Sequence, residues 1–149
     1  MMKLGRLLTP LLFSLLAGCA ALPPSKAYDG PVRDVRELAV IKISPESSAT
    51  IITVFDGRGD RFSRPEPLPN GLEVIALPGK HTMHVRVSHF DGGLSLHGFK
   101  KITFDTEAGR TYLVHGQLKV TQLKPPMGIT SVWLTVEGSD QVVAGTSPP

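Results

Sequence analysis

From Glu37 onward, branched and aromatic residues take every second position over short runs, with Gly, Pro, Asn and Asp between the runs. No segment sustains the 3.6-residue period of an amphipathic helix, so the pattern predicts strands. These are expected near Leu38–Ile43, Thr50–Phe55, Leu72–Leu77, Thr82–Phe90, Lys101–Asp105, Thr111–Val120 and Ile129–Val136, with a short one at Gln141–Val143. Parity separates the two sides of each strand. In Thr82–Phe90, Met83, Val85 and Val87 share one side, and His84, Arg86 and Ser88 share the other. In Thr111–Val120, Tyr112, Val114, Leu118 and Val120 share a side with Gly116. Thr111, His115, Gln117 and Lys119 oppose them, and Leu113 breaks the rule. Such alternation belongs to sheets with one face buried.

The connections fit this reading. Asp56-Gly57 is a turn signal, and Pro78-Gly79 suits a turn with positive φ at the glycine. Asp91-Gly92-Gly93 ends a strand, and Ala108-Gly109 is short enough for a hairpin. Ser44–Ser48 reads as a polar break, while Arg58–Gly71 and Gly92–Gly98 read as longer loops. Strands this short and this regularly spaced predict an all-β chain with a single antiparallel β-sandwich-like domain, an open barrel being the second choice.

The N-terminus follows a different rule. Lys3 and Arg6 precede an apolar stretch from Leu7 to Ala17, the order of charge and apolar residues in an export signal. That stretch contains Pro10 and is shorter than the roughly 20 residues a membrane-spanning helix needs. It ends at Leu16-Ala17-Gly18-Cys19, with the chain's single cysteine. This resembles the lipobox of bacterial lipoproteins, which implies cleavage between Gly18 and Cys19 and acylation of Cys19. Stable anchoring by lipid takes more than one chain, consistent with diacylglyceryl transfer followed by amine acylation. In a Gram-negative host, Ala20 after the lipidated residue implies sorting to the outer membrane, facing the periplasm. The expected organisation is a signal peptide over 1–18, a lipidated, flexible tether over 19–31, the sandwich domain over 32–144 and a disordered tail over 145–149.

Composition then narrows the function classes. The chain has a net charge of +3, but Lys3 and Arg6 leave with the signal, so the remainder stands near +1 and gives no reason to expect nucleic acid. With Cys19 committed to lipid, no disulfide can hold the fold, and packing must do so.

Four short motifs carry a further resemblance. Tyr28-Asp29-Gly30-Pro31, Glu37-Leu38-Ala39-Val40-Ile41, Leu77-Pro78-Gly79-Lys80-His81 and Ala108-Gly109-Arg110-Thr111-Tyr112 occur in that order. Together they resemble a group of proteobacterial lipoproteins without assigned function. The Leu-Pro-Gly-x-His turn leading into an alternating strand is similar to PEGA-type β-domains of the cell envelope. The resemblance implies envelope location and a β-sandwich. It implies no enzymatic activity and supplies no catalytic residues.

Candidate chemistry is sparse. The serines lack a Gly-x-Ser-x-Gly elbow, and Gly57-Arg58-Gly59 is no phosphate loop. His81, His84, His89, His97 and His115 show no local spacing for convergent metal ligands, so no metal and no cofactor are expected. His81 reads as a strand-start residue beside its turn, and the other histidines as solvated. Phe55, Phe104, Tyr112 and Trp133 read as core, and Phe99 is set apart as a candidate groove residue. Tyr28 reads as a pin for the tether. Arg58, Arg61 and Arg64, interleaved with Asp56, Asp60 and Glu66, read as a solvated mixed-charge loop. If Thr82–Phe90, Lys101–Asp105 and Thr111–Val120 form a meander, His84, Arg86, Lys101, Thr103, Asp105, His115, Gln117 and Lys119 share one solvent face. His84, Arg86, Lys101, His115 and Lys119 on it are the candidate partner-binding residues. The expected function is a membrane-anchored, non-catalytic binding or scaffolding module, anchored in the bilayer through acylated Cys19 and meeting an envelope protein or an anionic envelope component. The alternative is a periplasmic carrier of a small ligand or metal.

Overall fold

The computed structural model describes residues 22–56 and 71–148. The expected signal peptide, Gly18, Cys19 and Ala20 lie outside the described residues, as do Arg58, Arg61, Arg64, Asp60 and Glu66. No helix of the described residues is long and apolar enough to cross a membrane.

The fold is all-β, two sheets packed face to face. Its strands are β1 (Ser25–Lys26), β2 (Ala39–Ile43), β3 (Ala49–Asp56), β4 (Glu73–Ala76), β5 (Gly79–Asp91), β6 (Leu94–Thr106), β7 (Thr111–Leu123), β8 (Pro126–Val136) and β9 (Val142–Gly145). A larger sheet has the order β1-β4-β2-β7-β8-β9, and a smaller one the order β3-β5-β6. The smaller sheet is antiparallel throughout. The sandwich is rich in antiparallel pairing, as expected, and in the larger sheet it also carries two parallel pairings, β1 with β4 and β2 with β7. The parallel pair β2–β7 arises because the chain visits the other sheet between them.

Alternation places the core where parity put it. Ile41, Val74, Tyr112, Val114, Val132 and Leu134 face inward from the larger sheet, and Ile51, Val54, Met83, Val85, Val87 and Phe104 from the smaller. Each such side chain contributes about 1.5–3 kcal/mol when fully buried. The sheets approach closely at Gly116 of β7. A Cβ there would stand 2.8 Å from Ala49 Cβ and 2.9 Å from Val87 Cγ2 on the facing sheet. Gly98 of β6 meets Thr130 of β8 still more tightly. Side chains of normal size would wedge the layers apart at both places.

Four expectations change. The loop expected over Gly92–Gly98 is mostly strand, and only Gly92-Gly93 turns, with φ of 52° and 84°. Positive φ at both central residues is the twist-matched two-residue hairpin geometry. Ala108-Gly109 makes no hairpin, because β6 and β7 belong to different sheets. The connection instead arches across the core edge, held by Glu107 N–H donating to the Tyr112 hydroxyl at 3.0 Å and Gly109 N–H to the Leu38 carbonyl at 2.8 Å. The tether expected to be flexible through Pro31 docks earlier. Ser25 and Lys26 pair with Val74 and Ile75, Ala27 N–H donates to the Ile75 carbonyl at 2.8 Å, and Ala27 and Tyr28 are buried. An unpaired β4 edge offers donors and acceptors that β1 satisfies. At the other end Gly145 closes β9, and Thr146 N–H donates to the Val132 carbonyl at 3.1 Å, so the expected tail starts later.

Candidate functional site

The outward side of the smaller sheet is built from β5 and β6 in register. Lys80 stands opposite Asp105, Thr82 opposite Thr103, His84 opposite Lys101, Arg86 opposite Phe99, Ser88 opposite His97 and Phe90 opposite Ser95. Their order makes a gradient along the hairpin. A threonine pair with hydroxyls 2.9 Å apart lies toward one end, cations occupy the middle, and aromatic rings lie toward the Gly92-Gly93 tip. His84 packs edge-on against Phe55 of β3 at 5.2 Å, which braces it over the centre of the sheet. His97 is held near the tip by the Ser88 hydroxyl at 3.0 Å and by a T-shaped contact with the Phe90 ring, centroids 5.7 Å apart.

This face is open. His84, Arg86, Lys101, Thr103 and Asp105 are exposed, and Phe90 and Phe99 are 71% and 65% exposed. Among the described residues the ion pairs are Arg36–Asp34 and Arg110–Glu107, so Lys80, Arg86 and Lys101 carry unneutralised charge there. Clustered cations outnumbering one acid produce a local positive potential on a chain that is nearly neutral beyond its first residues.

The larger sheet faces the other way. The expected common face is therefore corrected: His115, Gln117 and Lys119 of β7 point out of the opposite side of the sandwich from His84, Arg86 and Lys101. Because the chain crosses the core between β6 and β7, the two strands present their apolar sides to one core from opposite directions. Their polar sides then diverge.

His115 and Trp133 are cross-strand partners on that outward side of the larger sheet, with ring planes within 10° and centroids 5.2 Å apart. The His115 Nε2 and Thr135 hydroxyl are 3.0 Å apart. Partial burial lowers the His115 pKa below its ordinary value of 6.5, against the opposing pull of the Glu46 and Asp140 carboxylates. The β2–β3 connection folds beside these rings, its Ser47 hydroxyl accepting from Ala49 N–H at 3.1 Å and donating to the Gly116 carbonyl at 3.4 Å. Together Glu46, Ser47, His115, Gly116, Gln117 and Trp133 line an open groove of about 190 Å³.

Two aromatic expectations are thereby corrected. Phe104 and Tyr112 fill the core, but Trp133 and Phe55 are half-buried on outward faces. Trp133 shares parity with Ser131, not with Val132 and Leu134, and that signal was readable in the sequence. Phe99 is exposed on the smaller sheet, away from the groove.

His81 does structural work at the corner where the chain passes from β4 to β5. It is 3% exposed and donates from Nε2 to the Leu77 carbonyl at 2.6 Å, while Thr106 donates to the same carbonyl at 3.2 Å. Gly79 has φ +130°, positive as the turn reading expects. Among the described residues no group of three or more His, Cys, Asp or Glu side chains converges as metal ligands would. No family model, curated protein or solved structure matches the chain.

Proposed function

We propose that this protein is a lipid-anchored binding module of the cell envelope, which presents the basic outward face of β3, β5 and β6 to an anionic partner. Acylation of Cys19 and cleavage after Gly18 tether the domain to a membrane, with Ala20 directing it to the periplasmic side of the outer membrane. The docking of Ser25–Tyr28 onto the larger sheet supports close tethering, since only the residues between Cys19 and Ser25 separate anchor from domain. At about 3.5 Å per residue that spacer keeps the domain within roughly 20 Å of the lipid. No residue is assigned a catalytic role.

The observation that carries this reading is the β5–β6 register, which brings Lys80, His84, Arg86 and Lys101 onto one exposed face with Asp105 as the acid among them. Such a face accelerates encounter with an anionic surface and orients the docked module. The exposed Phe90 and Phe99 rings supply apolar contact area beside the charges. The test replaces Lys80, Arg86 and Lys101 with Glu together and compares in-cell cross-linked adducts with those of the native chain at equal abundance. Surface changes of this kind shift stability by about 0.5 kcal/mol or less each. Adducts lost from the variant support the reading; an unchanged adduct pattern refutes it.

A further inference from the structure

We propose that the groove beside Trp133 binds one uncharged pyranose unit of a saccharide. The inference is independent of the basic face, because the groove opens on the opposite side of the sandwich. Recognition of a pyranose sets two demands: a flat apolar surface against the sugar's C–H face, and planar polar groups that meet pairs of hydroxyls on its rim. Trp133 meets the first. It is the only tryptophan of the chain, it sits outside the core, and its parallel partner His115 fixes its orientation. A ring already held in place gives contact area with little further loss of side-chain freedom.

Glu46 and Gln117 meet the second demand. Both are exposed at the groove, and among the described residues neither side chain has a hydrogen-bond partner. A carboxylate offers two acceptor oxygens, and an amide offers one acceptor and two donors, which together match the mixed donor and acceptor character of sugar hydroxyls. Ser47 is occupied in shaping the loop, its hydroxyl donating to the Gly116 carbonyl.

Size and charge narrow the ligand further. The groove is smaller than the roughly 300–1,000 Å³ sites that enclose drug-sized ligands, and it is open, so it suits one ring of a longer chain that continues into solvent. Glu46 in the lining disfavours uronic acids and sulfated sugars. Lys119 lies one outward position further along β7 and is not part of the lining.

Because Trp133 is the single indole, its fluorescence reports on the groove. The full chain, held in a detergent without sugar headgroups, is titrated with cellotetraose and with the β-1,4-linked tetramer of N-acetylglucosamine. The expected result is a saturable fluorescence change with at least one tetramer, with amide NMR shifts at Gly116 and Gln117. In the Glu46→Ala/Gln117→Ala double variant, which keeps the reporter, affinity should fall by about tenfold or more, with an unchanged melting curve. No saturable response to either tetramer overturns the proposal. So does unchanged affinity in the double variant, and so does saturation by tetramethylammonium without saccharide binding, which would make this a cation site.

Discussion

On the smaller sheet the outward residues Arg86, Phe99, Lys101 and Thr103 stand in solvent, whereas on the larger sheet Leu113, His115 and Trp133 are half-buried and Thr135 is 5% exposed. Both sets occupy the same kind of position, the side of a strand turned away from a shared core. The difference comes from what lies beside the strands. The β2–β3 connection settles next to β7 and, through Ser47, ties itself to the β7 backbone. Among the described residues, no comparable segment closes over the cations of β5 and β6. Alternation therefore tells which residues leave the core, and the long connections decide how far into water they go. One face became an open charged surface and the other a sheltered groove with an aromatic wall.

The largest expected effect comes from breaking the layer that both faces share. Gly116→Val places a branched side chain between the sheets, against Ala49 and Val87. Overpacking of this kind costs about 1–3 kcal/mol, and here it should fall at the upper end because the neighbours belong to a facing strand pair. Urea unfolding measures it. A midpoint equal to that of the native chain would mean that the two faces are not mounted on one rigid sandwich.

A smaller loss is expected at the corner joining the sheets. His81→Ala removes the donor to Leu77 O and empties a buried site, costing about 2 kcal/mol. Thr106 still donates to the same carbonyl, which limits the damage. The melting temperature of the variant, compared with His81→Phe, separates hydrogen bonding from filling. If both variants melt like the native chain, the corner does not couple the sheets.

The smallest effect distinguishes the faces by pH. In the window between the lowered His115 pKa and its ordinary value of 6.5, the unfolded chain binds a proton that the folded chain refuses. Stability is therefore fully present above the ordinary value and is lost as pH falls through the window. His115→Gln should flatten that acid limb in urea midpoints taken across the range. Identical acid slopes in the two proteins would show that His115 is as freely solvated as the residues of the smaller sheet.

Much of this was legible in the residues. Met83, Val85 and Val87 against His84 and Arg86, and Tyr112 and Val114 against His115, gave the core and the outward sides by parity alone. Sheet membership was not legible. Ala108-Gly109 has the length and glycine of a hairpin turn, and the same residues serve an arch between sheets when Leu38 and Tyr112 supply its partners. The groove was hidden for the same reason, since Glu46 and Trp133 line one groove only because β2 packs beside β7. Ser25-Lys26 was too short to show a period, and Gly98 looked like loop because its close approach to Thr130 cannot be read locally.

Docking through the basic face of the smaller sheet is tested by placing a photo-crosslinking residue at Thr103 or, on the other face, at Ser131. Both positions are outward, and only Thr103 lies among Lys80, Arg86 and Lys101. Thr103 is expected to yield a specific adduct in intact cells, and this adduct should disappear when Lys80, Arg86 and Lys101 are changed to Glu. Thr103 adducts that survive the charge reversal, or the same adducts from Ser131, would contradict it.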